Sequence, residues 1–193
     1  MNLTLNNIPI LGLPILIIMV IIRSVILHRH GIKAIVFGNT DKTDFLIIPV
    51  LLFFIYGIIS SLLNLPFPLF LKETFWKIDI LYILSIIICS ISLIWFGITL
   101  KIFGKSFRVG IDINMNEKLI VNGTFSISRN PVYLGFIGYF MGLFMAYPNI
   151  LSFTFIILLL ILIHRQILRE EKFLQKHYGT EYEEYCKKVR RYL

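Results

Sequence analysis

The chain has 193 residues, 57% of them hydrophobic and 16% charged, with a formal net charge of +8 and a mean hydropathy of +0.81. Soluble domains are about 45–50% apolar and about 25% charged, so composition excludes a soluble enzyme domain, a disordered chain and a secreted disulfide scaffold. The apolar residues gather in long uncharged runs, which reads as an integral membrane protein whose positive charge belongs to its loops rather than to a nucleic-acid partner.

The first span is predicted from about Ile8 to Leu27, with Arg23 near its end able to snorkel. Its amino end, MNLTLNN, lacks a basic n-region and no small-residue cleavage site follows, so it reads as a span and not as a signal peptide. After a polar stretch from His28 to Asp44, no residue between Phe45 and Leu71 is charged. Asn64, Pro66 and Pro68 end the second helix near Leu63. The third span is predicted from about Ile78 to Phe103. Gly104 to Arg129 is the longest polar stretch, and a loop of that size in so small a protein is expected to be functional. Asn130 to His164 is again uncharged, and the turn formers Tyr147-Pro148-Asn149 divide it into a tight helical hairpin.

The fifth helix continues past His164 through Arg169-Glu170-Glu171. Gly179 should end it, and Thr180 should cap a further helix with Glu183 at the capping-box position. On that last helix Tyr182, Tyr185 and Val189 recur at helical spacing, an amphipathic piece suited to lie on the membrane or on the domain. Cys89 sits in an apolar run and Cys186 in a charged tail, so no disulfide is expected.

The fold expected is therefore all-α: a polytopic membrane helix bundle with five transmembrane helices. Residues 1–193 form a single membrane domain, with three spans in 1–103 and the loop, hairpin and C-terminal helices in 104–193. One side of the membrane collects Arg23, Arg29, Lys33, Lys42, Lys101, Lys105, Arg108, Lys118, Arg129 and the basic tail from Arg165 to Arg191; the other holds only Lys72 and Lys77. The positive-inside rule then places the amino terminus outside and the long loop and carboxyl tail in the cytoplasm.

That topology brings Glu117–Tyr133 and His164–Tyr185 to one membrane surface. The string from Arg129 to Gly135 opens the fourth helix, where backbone N–H groups suit a carboxylate or phosphate, although Pro131 is equally an ordinary first-turn proline. Arg165 and Arg169 lie one turn apart on one face, and Glu170 points about 140° away from Arg165. A solvated juxtamembrane helix would explain these charges. They follow directly on Ile161-Leu162-Ile163, however, and so begin at the hydrocarbon edge, where ionisable groups have partners or tasks. His28 and His30 have no Cys or carboxylate cluster beside them, so no metal site is expected.

NGTFSISRNPVYLG, a helical hairpin and then REEKFLQKHYGTEYEEYCKKV resemble the isoprenylcysteine carboxyl methyltransferase family of integral membrane methyltransferases, to which phospholipid N-methyltransferases are related. The likeness covers roughly Gly104 to Val189. Asn130 departs from the pattern, standing where the family usually has His; it can donate and accept hydrogen bonds but does not titrate.

The resemblance implies S-adenosylmethionine bound at the cytoplasmic surface and a lipidic methyl acceptor entering from the surrounding membrane lipids. Carried over by position, the cofactor would be held by Lys118, Leu119, Ile120 and Val121, by Phe125, by Asn130, Pro131, Val132 and Tyr133, and by Glu170 or Glu171. A carboxylate facing the cofactor's ammonium, with a helix N-terminus or an Arg facing its carboxylate, suits such a ligand. Arg165 and Arg169 are the candidates to hold an acceptor carboxylate, because a guanidinium fork pairs with both oxygens. A prenylated-cysteine acid ranks first among acceptors, ahead of a lipid amine. A sterol-reductase-like enzyme using NADPH is the rival suggested by HYGTEYEEYCKKV, but two adjacent glutamates would repel its phosphates. A scaffold or transporter subunit is a third reading; transporters place polar groups in mid-membrane, and these spans offer only Ser, Thr and Asn there.

Overall fold

In a computed structural model, residues 8–32, 47–63, 65–71, 73–107 and 118–193 are described. The reading of the amino end, the charges Lys33, Lys42, Lys72 and Arg108, and the middle of the long loop with Glu117 lie outside the described residues.

Among the described residues six α-helices appear in chain order: α1 (Ile8–Arg29), α2 (Ile47–Leu63), α3 (Asp79–Phe103), α4 (Pro131–Ala146), α5 (Ile150–Tyr178) and α6 (Thr180–Lys188). The described residues contain no strand, only an isolated bridge between Thr74 and Asn149. Helices α1, α3 and α5, with 22, 25 and 29 residues, are long and apolar enough to cross a membrane. Helix α2 has 17 residues and α4 has 16. At 1.5 Å per residue the shorter pair reach only about 24–26 Å against a hydrocarbon core of about 30 Å. Pro131 at the first turn and Tyr147-Pro148 after the last bound α4 at both ends.

The tightest seam is between α3 and α4. A Cβ at Gly142 would lie 2.6 Å from Cys89 Sγ, one at Gly138 would lie 2.5 Å from Ser92 Oγ, and one at Gly135 3.2 Å from Phe96. Small residues at this spacing let two backbones approach where lipid offers no hydrophobic drive for association. Trp95 Nε1 donates to Pro131 O at 2.8 Å, tying α3 to the start of α4. Helix α1 joins through Gly12, whose Cβ would meet the Tyr139 ring at 2.7 Å, and through the Tyr139 hydroxyl, which donates to Pro9 O at 2.7 Å. On the other side α2 packs on α5, with Phe54 stacked on Phe155 at 3.9 Å between centroids. Ile91, Ile94 and Ile161 remain exposed on the outside of the bundle, as lipid-facing residues would be.

The hairpin turns where expected. Asn149 Oδ1 accepts from Ser152 N at 2.8 Å, and Asn149 N donates to Ser152 Oγ at 3.2 Å, a reciprocal cap that starts α5. The expectation at Thr180 needs correction. Gly179, at φ +55°, occupies the cap position and makes no side-chain cap, Thr180 is already helical, and the Glu183 carboxylate instead accepts from Gln175 Nε2 at 2.7 Å. The positive φ at Gly179 reverses the chain within one residue, so α6 folds back on α5. Tyr182, Tyr185 and Val189 are buried there against Leu174, Tyr178 and Leu119, so this amphipathic piece lies on the domain. Both cysteines are free thiols.

Candidate functional site

Where α6 folds back it closes one wall of an open cleft. Its apolar side is built by Phe103 at the end of α3, by Leu119 and Ile120, and by Phe125. Asn130, Pro131, Val132 and Tyr133 bring in the first turn of α4. Helix α5 contributes Glu170, Phe173 and Leu174, spaced three and four residues apart on one face, with Tyr178 a turn further on. Tyr182 and Tyr185 of α6 complete it, and Ser106, Lys118 and Arg129 add polar groups.

Of the residues singled out from sequence, Lys118, Leu119, Ile120, Phe125, Asn130, Pro131, Val132, Tyr133 and Glu170 line this cleft. Val121, Glu171, Arg165 and Arg169 are not among the lining residues. Arg165 is exposed, and Arg169 is half-buried with its guanidinium donating to Gln166 Oε1.

The two adjacent glutamates have different surroundings. The Glu170 carboxylate faces the cleft and accepts from the Tyr133 hydroxyl at 2.5 Å and from Gln166 Nε2 at 2.9 Å. Glu171, about 100° round the helix, is turned into the protein. Its Oε1 meets Arg129 Nη2 at 3.2 Å and Asn130 Nδ2 at 3.3 Å. Its Oε2 receives Arg191 Nε at 3.0 Å and Nη2 at 2.8 Å. With side chains 13% and 12% exposed, the Arg129–Glu171 pair is well shielded from water. The hydrogen bonds it donates to Glu171 raise the Arg191 pKa above its ordinary value. Burial pushes the Tyr185 phenol up to about 12, and its hydroxyl donates to Phe125 O at 2.5 Å. Burial, and next the Glu171 charge, raise Tyr182 as well. Both phenols are therefore neutral at physiological pH.

Asn130 does not cap α4 with its side chain. Its amide donates to Glu171 and, at 3.1 Å, to Arg191 O, so Asn130 links α4 to α5 and to the segment after α6.

The profile of the phospholipid methyltransferase family matches residues 77–181, more than half of the chain. The chain belongs to that family. The matched region runs from just before α3 to the start of α6 and takes in most of the cleft. It leaves out Tyr182, Tyr185 and Arg191. Among curated proteins, the chain is 37% identical over 89 residues to a probable protein-S-isoprenylcysteine O-methyltransferase of Oryza sativa subsp. indica, and equally to one of subsp. japonica. Each match covers 45% of this chain and 47% of the relative, so the chain spans about half the length of the curated relatives it matches.

Sequence reasoning missed Phe173, Leu174 and Tyr178, although their spacing from Glu170 along a helix was a usable signal. Gln166, one turn before Glu170, was available in the same way. Arg191 carried no local signal, because its partners are 20 and 61 residues away. Among the described residues no three His, Cys, Asp or Glu side chains come together as a metal ion would need.

Proposed function

We propose that this chain transfers a methyl group from S-adenosylmethionine to a carboxylate on a lipid-soluble acceptor of the prenylated-cysteine type, at the cytoplasmic end of a single five-span membrane domain. The observation that carries the reading is the Glu170 carboxylate, fixed by Tyr133 and Gln166 on the wall of an otherwise largely aromatic and apolar cleft.

These residues fit the cofactor's chemistry. Glu170 would take its ammonium by a charge-assisted hydrogen bond, and Leu119, Ile120 and Phe125 would hold the adenosine, with backbone from Lys118 to Val121 beside it. Asn130 to Tyr133 would border its amino-acid end. When bound, S-adenosylmethionine supplies an electrophilic methyl on a sulfonium. The chain's own task is then alignment and exclusion of water rather than proton transfer. Asn130 suits that task, since it does not titrate and its amide is committed to Glu171 and Arg191. Arg165 and Arg169 would hold the acceptor carboxylate. Helices α2 and α4 would cross the bilayer with help from flanking residues or local thinning, placing the amino terminus outside.

A lipid amine is the second reading. It is favoured by the absence of Arg165 and Arg169 from the cleft wall, where the acidic group is Glu170. Tritiated methyl transfer to a prenylcysteine acid and to a phospholipid amine separates the two. On the first reading Arg165→Ala keeps S-adenosylhomocysteine binding and lowers transfer to the acid by about a hundredfold through lost alignment. Transfer to amines alone, or transfer to the acid unchanged in Arg165→Ala and Arg169→Ala, overturns the carboxylate assignment.

A further inference from the structure

The four residues that follow α6 reach the turn before α4, two places on α5, and α6 itself. Val189 is buried with Tyr182 and Tyr185. Arg190 O accepts from Arg129 N at 3.0 Å. Arg191 O accepts from Asn130 Nδ2 at 3.1 Å and from Ser128 Oγ at 3.3 Å, while its guanidinium holds Glu171 Oε2 through two N–H groups. The Tyr192 hydroxyl lies 2.7 Å from His164 Nδ1. Arg191 thus engages α5 through its side chain and the entrance to α4 through its main chain.

Neighbouring residues on a helix diverge by about 100°, so α5 presents either Glu170 or Glu171 to the cleft, and the rotation of α5 decides which. Two guanidiniums and an amide draw Glu171 inward. We propose that Arg191 is a positioning residue for the cofactor cleft: it clamps Glu171 against Asn130, and so sets α5 and the first turn of α4 at the rotation that presents Glu170 to the ligand. Arg191 does not line the cleft and acts through Glu171. It also lies outside the region matched to the family. The inference rests on the cofactor reading of this cleft. Its fork matters as well as its charge, because Nε and Nη2 grip one carboxylate oxygen together and a lysine offers a single point charge.

The test uses the full chain in detergent and calorimetric titration with S-adenosylhomocysteine. Arg191→Ala should weaken binding by about tenfold or more, and Arg191→Lys by an intermediate factor. Guanidinium ion at millimolar concentration should restore much of the loss in Arg191→Ala by refilling the space beside Glu171. In methyl transfer well below the thermal midpoint, the cofactor KM should rise while the acceptor KM stays as in the parent, a split that general loosening of the fold would not give. In the ligand-free protein, amide hydrogen exchange at Tyr133 and Leu134 should quicken in Arg191→Ala. If Arg191→Ala does not fold, Arg191→Lys carries the same measurements. Binding within twofold of the parent in a folded Arg191 variant, or a rise in both KM values together, overturns the positioning role alone. A parent protein that binds no S-adenosylhomocysteine overturns the cofactor reading and the positioning role with it.

Discussion

Replacing Glu170 with glutamine removes one charge and almost no volume, which makes it the sharpest perturbation of the cleft. The amide keeps an oxygen for the Tyr133 hydroxyl, so the 2.5 Å bond that orients the side chain has a successor. What disappears is the charge-assisted bond to a ligand ammonium, worth about 1.5–3 kcal/mol. At about 1.4 kcal/mol per factor of ten, that is a loss of roughly ten- to 150-fold in affinity. Because Glu170 is only half-buried, screening by water places the expectation in the lower part of that range, about ten- to thirtyfold. Calorimetric titration of Glu170→Gln with S-adenosylhomocysteine in detergent reads it directly, and the ligand-free thermal midpoint should stay near that of the parent. Glu171→Gln differs in kind, since Arg129 and Arg191 would then converge on a neutral amide, and the ligand-free protein should lose stability. A Glu170→Gln protein that folds and binds S-adenosylhomocysteine like the parent would falsify the placement of the ammonium, and with it the observation on which the functional reading rests.

Tyr185→Phe should cost about 1 kcal/mol, seen as a lower thermal midpoint, by leaving Phe125 O without its donor. The parent phenol is raised from an ordinary value of 10.0 to about 12, so its contribution is complete below pH 10 and is lost as pH rises to 12, because the unfolded chain releases its proton first. Tyrosinate absorbance followed against pH, with and without the substitution, checks that sign; ionisation of Tyr185 near pH 10 in the folded protein would contradict it. Gly142→Val should destabilise the α3–α4 seam by about 1–3 kcal/mol or prevent folding, since even a Cβ there would meet Cys89 Sγ at 2.6 Å; an unchanged thermal midpoint would show that the seam is looser than described. For topology, Lys72→Cys should be labelled in intact cells by a membrane-impermeant reagent, and labelling only after permeabilisation would invert the proposed orientation.

The apolar runs, the prolines and the turn residues determine the helices by local physics alone. An uncharged stretch long enough for a membrane has few alternatives to a helix, and Tyr147-Pro148-Asn149 interrupts one by geometry that needs no distant partner. The limits of α3 and the hairpin were accordingly legible to within a few residues, whereas Lys118 to Ile120, Phe125 and Asn130 to Tyr133, which line the cleft, were singled out only through the family resemblance. The division of labour between Glu170 and Glu171 was not legible, because both have the same chemistry and neighbouring positions. Tertiary partners separate them: the Tyr133 hydroxyl reaches Glu170, whereas Arg129, Asn130 and Arg191 converge on Glu171. The cap assigned to Thr180 failed for a related reason: a glycine at φ +55° makes the turn without a side chain, which leaves Glu183 to meet Gln175. Asn130 shows the same divide. Sequence determines that it cannot titrate, whereas its carbonyl and carboxylate partners come from α5 and from the segment after α6, and only packing brings those groups within 3.3 Å of one amide.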